Sequence, residues 1–272
     1  PDWIGDPAVV DDKVVVDFYL YQCIQGNTGE NPTDTASAYW VKIGSANKWA
    51  MFDGVSTSQS TFSGTNFEIV ISGLNVNALG FFGVNADSIT IVQDNGGNET
   101  YNKTVTTGRY SENVDNWFNY FFSPFPAAEN VRNVMLTDIP QYATSTITIT
   151  FNLAVGDAAV GMLVAGLVRN IGTALFGTGV GITDYSTKEA DAFGNLNIVD
   201  RIYNDTTDYD VAILTPKVAQ VRRLLAGYRT TPVAWIGDPN REETVNFGYY
   251  QDFDIILSNY AISDCSIEVQ GI

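Results

Sequence analysis

Residues 145–155 read STITITFNLAV. Ile147, Ile149, Phe151 and Leu153 fall on one side of an extended chain, and Thr146, Thr148, Thr150 and Asn152 fall on the other. Successive side chains of a strand point to opposite faces, so the run predicts an antiparallel strand with one buried face. Phe67, Ile69 and Ile71 repeat the pattern, as do Ile89 with Ile91 and Ile267 with Val269. Residues 73–77 and 94–98 (DNGGN) are rich in types that accept positive φ and close hairpins. Short strands broken by such turns favour a β-sandwich over a wound α/β sheet.

One stretch departs from alternation. Val218, Val221, Leu224, Leu225 and Tyr228 recur at spacings of three and four, which predicts an amphipathic helix near 215–227. Thr215 is expected to cap it, Pro216 suits the first helical position, and Gly227 can end it. Lys217, Arg222 and Arg223 lie off the apolar face, either as a solvated surface or against an acidic neighbouring copy. The expected fold class is all-β and mainly antiparallel: sandwich or jelly-roll units, a small N-terminal β module, and this one helix. Three sections are expected, a carbohydrate-binding-like module at 1–48, a β-sandwich at 49–155, and a second mostly β unit at 156–272.

The chain of 272 residues carries 14 basic and 31 acidic side chains, a net charge of −17. Such a field repels phosphate backbones and anionic lipid, so neither nucleic acid nor a membrane is an expected partner. No long uncharged apolar run occurs, which argues for a soluble, folded chain. The opening PDWIGDP has neither a basic start nor an apolar core, so it is not expected to act as a secretion signal. The absence of histidine excludes Ser-His-Asp and Cys-His triads and His-ligated zinc. Cys23 and Cys265 stand far apart with no CxxC, and are expected as two buried thiols.

Carboxylates are then the remaining acid–base chemistry. Asp184, Glu189, Asp191 and Asp200 share one short stretch, and a glycosidase needs two carboxyls flanking a sugar ring. Loop capping is the blander use of the same groups. Asp205, Asp208 and Asp210 offer oxygen ligands of the kind calcium takes, without the Gly and Glu of an EF-hand. No catalytic residue, metal site or cofactor is expected. WIGDP occurs twice, at 3–7 and 235–239, without a repeat period. Residues 116–126 (NWFNYFFSPFP) are the densest aromatic stretch. They are expected either as a strand whose rings enter the core or as an interface with a partner. Trp117, Phe118, Tyr120, Phe121, Phe122 and Phe125 are the interface candidates.

Three resemblances bear on function. Asp12-Lys13-Val14, Tyr21-Gln22-Cys23, Pro32 and Trp40-Val-Lys-Ile-Gly44 resemble small chitin-binding (type 5/12) modules, which implies a three-stranded shape and sugar stacking by Trp3, Tyr21 and Trp40. NKWAMFDG at 47–54 and NALGFFGVNADSITIV at 77–92 resemble galactose-binding-like jelly rolls. Taken whole, the chain resembles structural proteins of tailed-bacteriophage tail tips, baseplates or fibre attachments. The elements are SANKWAMFDG, GITDYSTKEADAFG at 181–194, RTTPVAWIG at 229–237, FGYYQDF at 247–253 and SDCSIEVQG at 263–271. That resemblance implies a non-enzymatic virion component assembled in the host bacterial cytoplasm, packing against other phage tail proteins. It also implies a homo-oligomer of three- or sixfold symmetry. The competing expectations are a receptor-binding protein for a bacterial surface glycan and a carboxylate-dependent polysaccharide-degrading enzyme.

Overall fold

The computed structural model describes residues 7–34, 37–55, 57–109, 117–122, 129–154, 156–190 and 194–272. It is mainly antiparallel β, as the alternating runs require. Near the N-terminus, β1 (Lys13–Val16), β2 (Tyr19–Cys23) and β3 (Trp40–Ser45) pair in that order. Few apolar residues are available here, so Trp40 closes the core against Ala8 and Cys23. Its indole N–H would be costly to bury unpaired, and it donates to the Glu30 carbonyl at 2.9 Å.

The central unit comprises β4 (Ser60–Ser63), β5 (Asn66–Ser72), β6 (Ala78–Phe82), β7 (Ser88–Asp94) and β8 (Glu99–Thr106). After these come helix α1 (Trp117–Phe122), then β9 (Val134–Leu136), β10 (Thr146–Asn152), β11 (Asp157–Val160) and β12 (Met162–Gly166). One sheet runs β8-β7-β10-β5 and another runs β9-β6-β12, with β11 paired to β4. The period-two strand β10 lies between β7 and β5, and Ile147, Ile149 and Phe151 are fully enclosed. Phe151 stacks on Phe67 at 4.6 Å and meets Phe81 edge-on at 5.7 Å, joining the two layers. Each such side chain contributes about 1.5–3 kcal/mol of burial. Gly96 and Gly97 take positive φ in the β7–β8 turn, where a side chain would be strained.

The C-terminal unit contains β13 (Gly179–Asp184), β14 (Thr187–Ala190), β15 (Leu196–Val199), β16 (Tyr203–Leu214) and α2 (Val218–Gly227). It ends with β17 (Val233–Ile236), β18 (Val245–Ile256) and β19 (Ile262–Gly271). Its sheet runs β16-β19-β18-β17, and β13 pairs with the other edge of β16. Tyr209, Val211, Ile213, Cys265, Ile267 and Val269 form a core with Val221 and Leu225 of α2. Where β18 pairs with β19, a methyl on Gly248 would overlap the Gln270 carbonyl oxygen, so only glycine fits.

Three expectations are corrected. The boundary expected near 154–157 falls inside the sandwich, because Asp157 pairs with Ser63 and Leu163 with Phe81. Thr215 does not cap α2; a 3₁₀ turn, Thr215–Lys217, precedes the helix. The Thr215 hydroxyl donates instead to the Asn259 carbonyl at 2.9 Å. The aromatic run makes a helix over Trp117–Phe122 rather than a strand.

Candidate functional site

Among the described residues two exposed apolar surfaces stand out. In α1 the rings meet at i, i+4 spacing. Trp117 stacks over Phe121 at 6.1 Å, and Phe118 lies against Phe122 at 5.1 Å. Trp117 is 78%, Phe118 69%, Phe121 66% and Phe122 72% exposed, so most of each ring meets water. The Tyr120 side chain and Phe125 lie outside the described residues.

A second apolar surface continues the β13–β16 pair outward. β14 and β15 pair from Thr187↔Val199 to Ala190↔Leu196 and form a hairpin arm. Leu196 and Ile198 point to one side and Val199 to the other, yet all three are exposed. Neither face of the arm is covered. Val180, Ile182, Ile202 and Tyr203 extend the exposed apolar surface towards its base.

Between the sandwich and the C-terminal unit lies an open cleft of about 760 Å³, lined by Phe82, Arg132, Arg201, Asp205, Glu242 and Phe247 among others. Glu242 accepts from the backbone N–H groups of Arg132 at 2.8 Å and Asn133 at 3.2 Å. Desolvation, then the charge of Glu242, raises the Asp205 carboxyl above the usual carboxylate range. Sequence reasoning missed this cleft because its lining comes from distant segments and no spacing marks it.

The anticipated chemistry is dispersed. Asp205 faces the cleft, whereas Asp208 and Asp210 have opposite strand parity and lie on the other face of β16, so the three do not converge on one calcium ion. Asp184 receives Lys188 Nζ at 2.7 Å, and that bond together with Ser186 holds its carboxyl well below the usual range. A carboxylate held ionised is a poor general acid. Asp200 accepts from the Ser186 hydroxyl at 3.4 Å, Glu189 lies opposite Asn197, and Asp191 lies outside the described residues. Among the described residues no group of three or more His, Cys, Asp or Glu is placed to hold a metal ion.

Two of the three sugar-stacking candidates lie within the described residues. Trp40 is 5% exposed and offers no face to a ligand, Tyr21 packs half-buried at the edge of the same core, and Trp3 lies outside the described residues. Both cysteines are buried and unpaired. No helix among the described residues is long and apolar enough to cross a membrane. Comparison with protein-family models, with curated proteins and with solved structures gave no match.

Proposed function

We propose that this chain is a non-enzymatic structural component of a bacteriophage virion at the distal tail, in the baseplate, tail tip or fibre attachment, and that it acts through protein–protein packing. The observation that carries this reading is the β14–β15 arm, whose Leu196, Ile198 and Val199 are uncovered on both sides. An isolated two-stranded hairpin is marginal in water, so such an arm gains its stability by burial against another chain. The exposed rings of α1 add a second surface of the same character. The tail placement itself is supported by the sequence resemblance. Copies repeated around a three- or sixfold axis and seated against other tail proteins follow from it.

The test is imaging of intact phage particles carrying a label on this chain, with the wild type and a Leu196→Ser/Ile198→Ser variant side by side. The expected result is label at the distal tail, lost for the variant although it stays folded. Unlabelled particles would overturn the proposal. So would turnover of a polysaccharide that a single acidic substitution abolishes.

A further inference from the structure

We propose that the C-terminal units of successive copies dock head to tail, the basic helix α2 of one copy lying on the acidic sheet face of the next. The inference rests on the reading of the chain as a repeated structural component and names the surfaces that would join its copies.

Away from Gln270, which Tyr185, Tyr249 and Gln251 cover, the face of the sheet opposite α2 is open to solvent. It presents Asp208, Asp210, Asp252, Asp254, Asp264 and Glu268, all exposed. The register sets like charges directly abreast: Asp208 faces Glu268 across one strand pair, and Glu268 faces Asp252 across the next. One row along, Asp210 and Asp254 flank Ser266. Like charges directly opposite one another destabilise a sheet. No strand of this sheet contains Lys or Arg, so nothing within the sheet offsets that repulsion.

The complement lies on the other side of the same unit. Residues 211–237 contain no Asp or Glu but do contain Lys217, Arg222, Arg223 and Arg229. Val221 and Leu225 face the core, which turns Arg223 outward and Arg222 to the flank at helical spacing. These four cations make no ion pair among the described residues; Arg223 and Arg229 donate to the carbonyls of Ala219 and Ala226. The two charged surfaces face in opposite directions across one sheet, so a single copy cannot satisfy itself. The pairing is heterologous, leaving one acidic and one basic end until a ring closes. Metal bridging is a weaker account, since no three of these carboxylates are placed to share an ion.

Charge-swapped variants of the full chain test this by sedimentation at about 0.15 M and about 1 M salt. The wild type is expected to associate at the lower salt and dissociate at the higher. Arg222→Glu/Arg223→Glu and Asp208→Lys/Glu268→Lys should each associate about tenfold more weakly or worse. An equimolar mixture should associate again, because each variant then meets an opposite charge. If a reversed variant misfolds by circular dichroism, Arg222→Gln/Arg223→Gln and Asp208→Asn/Glu268→Asn supply the same readout with a smaller loss. A wild type monomeric at both salts, variants that associate like the wild type, or a folded mixture that stays apart would each overturn the inference. The virion reading fails separately. Unlabelled particles remove it, whereas labelled particles that incorporate the charge variants normally remove only this interface.

Discussion

The Glu242 carboxylate accepts the backbone N–H of Arg132 at 2.8 Å across 110 residues of sequence. That bond ties the C-terminal unit to the edge of the sandwich, beside the 5.7 Å contact of Phe82 with Phe247. Glu242→Ala should lower stability by about 1 kcal/mol, because two amide donors, one exposed and one half-buried, lose their partner. Glu242→Gln keeps an acceptor oxygen and should cost less. Urea denaturation, with hydrogen exchange read at Arg132 and Asn133, separates the two.

Phe151 is the point where the sandwich layers meet. Phe151→Ala should cost about 3–5 kcal/mol, since a buried ring flanked by Phe67 and Phe81 leaves a cavity the sheets cannot close. Val70→Ala, on the solvent side of β5, should stay within about 0.5 kcal/mol. Chemical denaturation midpoints of the two variants check the contrast.

Trp40→Ala should behave as a folding lesion. The expected loss is about 3–5 kcal/mol in the N-terminal module. Thermal scans should show an early transition confined to that module. A variant that folds like the wild type and loses only sugar binding would contradict the buried placement.

Asp138 gives a pH dependence of known sign. Desolvation alone would raise its carboxyl, but hydrogen bonds from Lys103 at 2.9 Å and Tyr101 at 2.7 Å outweigh this and hold it low. A depressed folded value adds stability above the unfolded carboxylate range, near about pH 4, and that stability is lost as pH falls through the folded value. The groups are half exposed, so the contribution should be about 0.5 kcal/mol or less. Asp138→Asn should flatten that part of an acid titration followed by circular dichroism.

Burial, and then the charge of Asp254, pushes the Cys265 thiol up to about 11. The thiolate is the reactive form, so Cys265 should resist maleimide in the native protein. Together with buried Cys23 it should label at an ordinary rate once the chain is unfolded in guanidinium. Mass spectrometry of the labelled chain reads both outcomes.

What was legible in the sequence was whatever is local and periodic. The alternation of Ile147, Ile149 and Phe151 identified β10 and its buried face, and the three-and-four spacing of Val218, Val221 and Leu225 identified α2. The turn at residues 94–98 declared itself through Gly96 and Gly97. What escaped depends on partners distant in the chain. β11 and β12 join the sandwich because strands about eighty to a hundred residues earlier receive them, and no spacing within 157–166 encodes that. The aromatic run escaped because rings at five of the six positions of Trp117–Phe122 leave no polar face against which its i, i+4 pairs stand out. The acidic ladder of Asp208, Glu268 and Asp252 was invisible for the same reason, since each member sits on a different strand and only the register sets them side by side.

If the chain packs against partners as proposed, the bare arm of β14 and β15 has a consequence for copies left unassembled. With neither face held, its ladder opens more readily than the enclosed strands of the sandwich, and an opened ladder is a substrate for proteases. Incorporation would shield it. Under the proposed packing role, digestion would then remove unassembled copies faster than assembled ones.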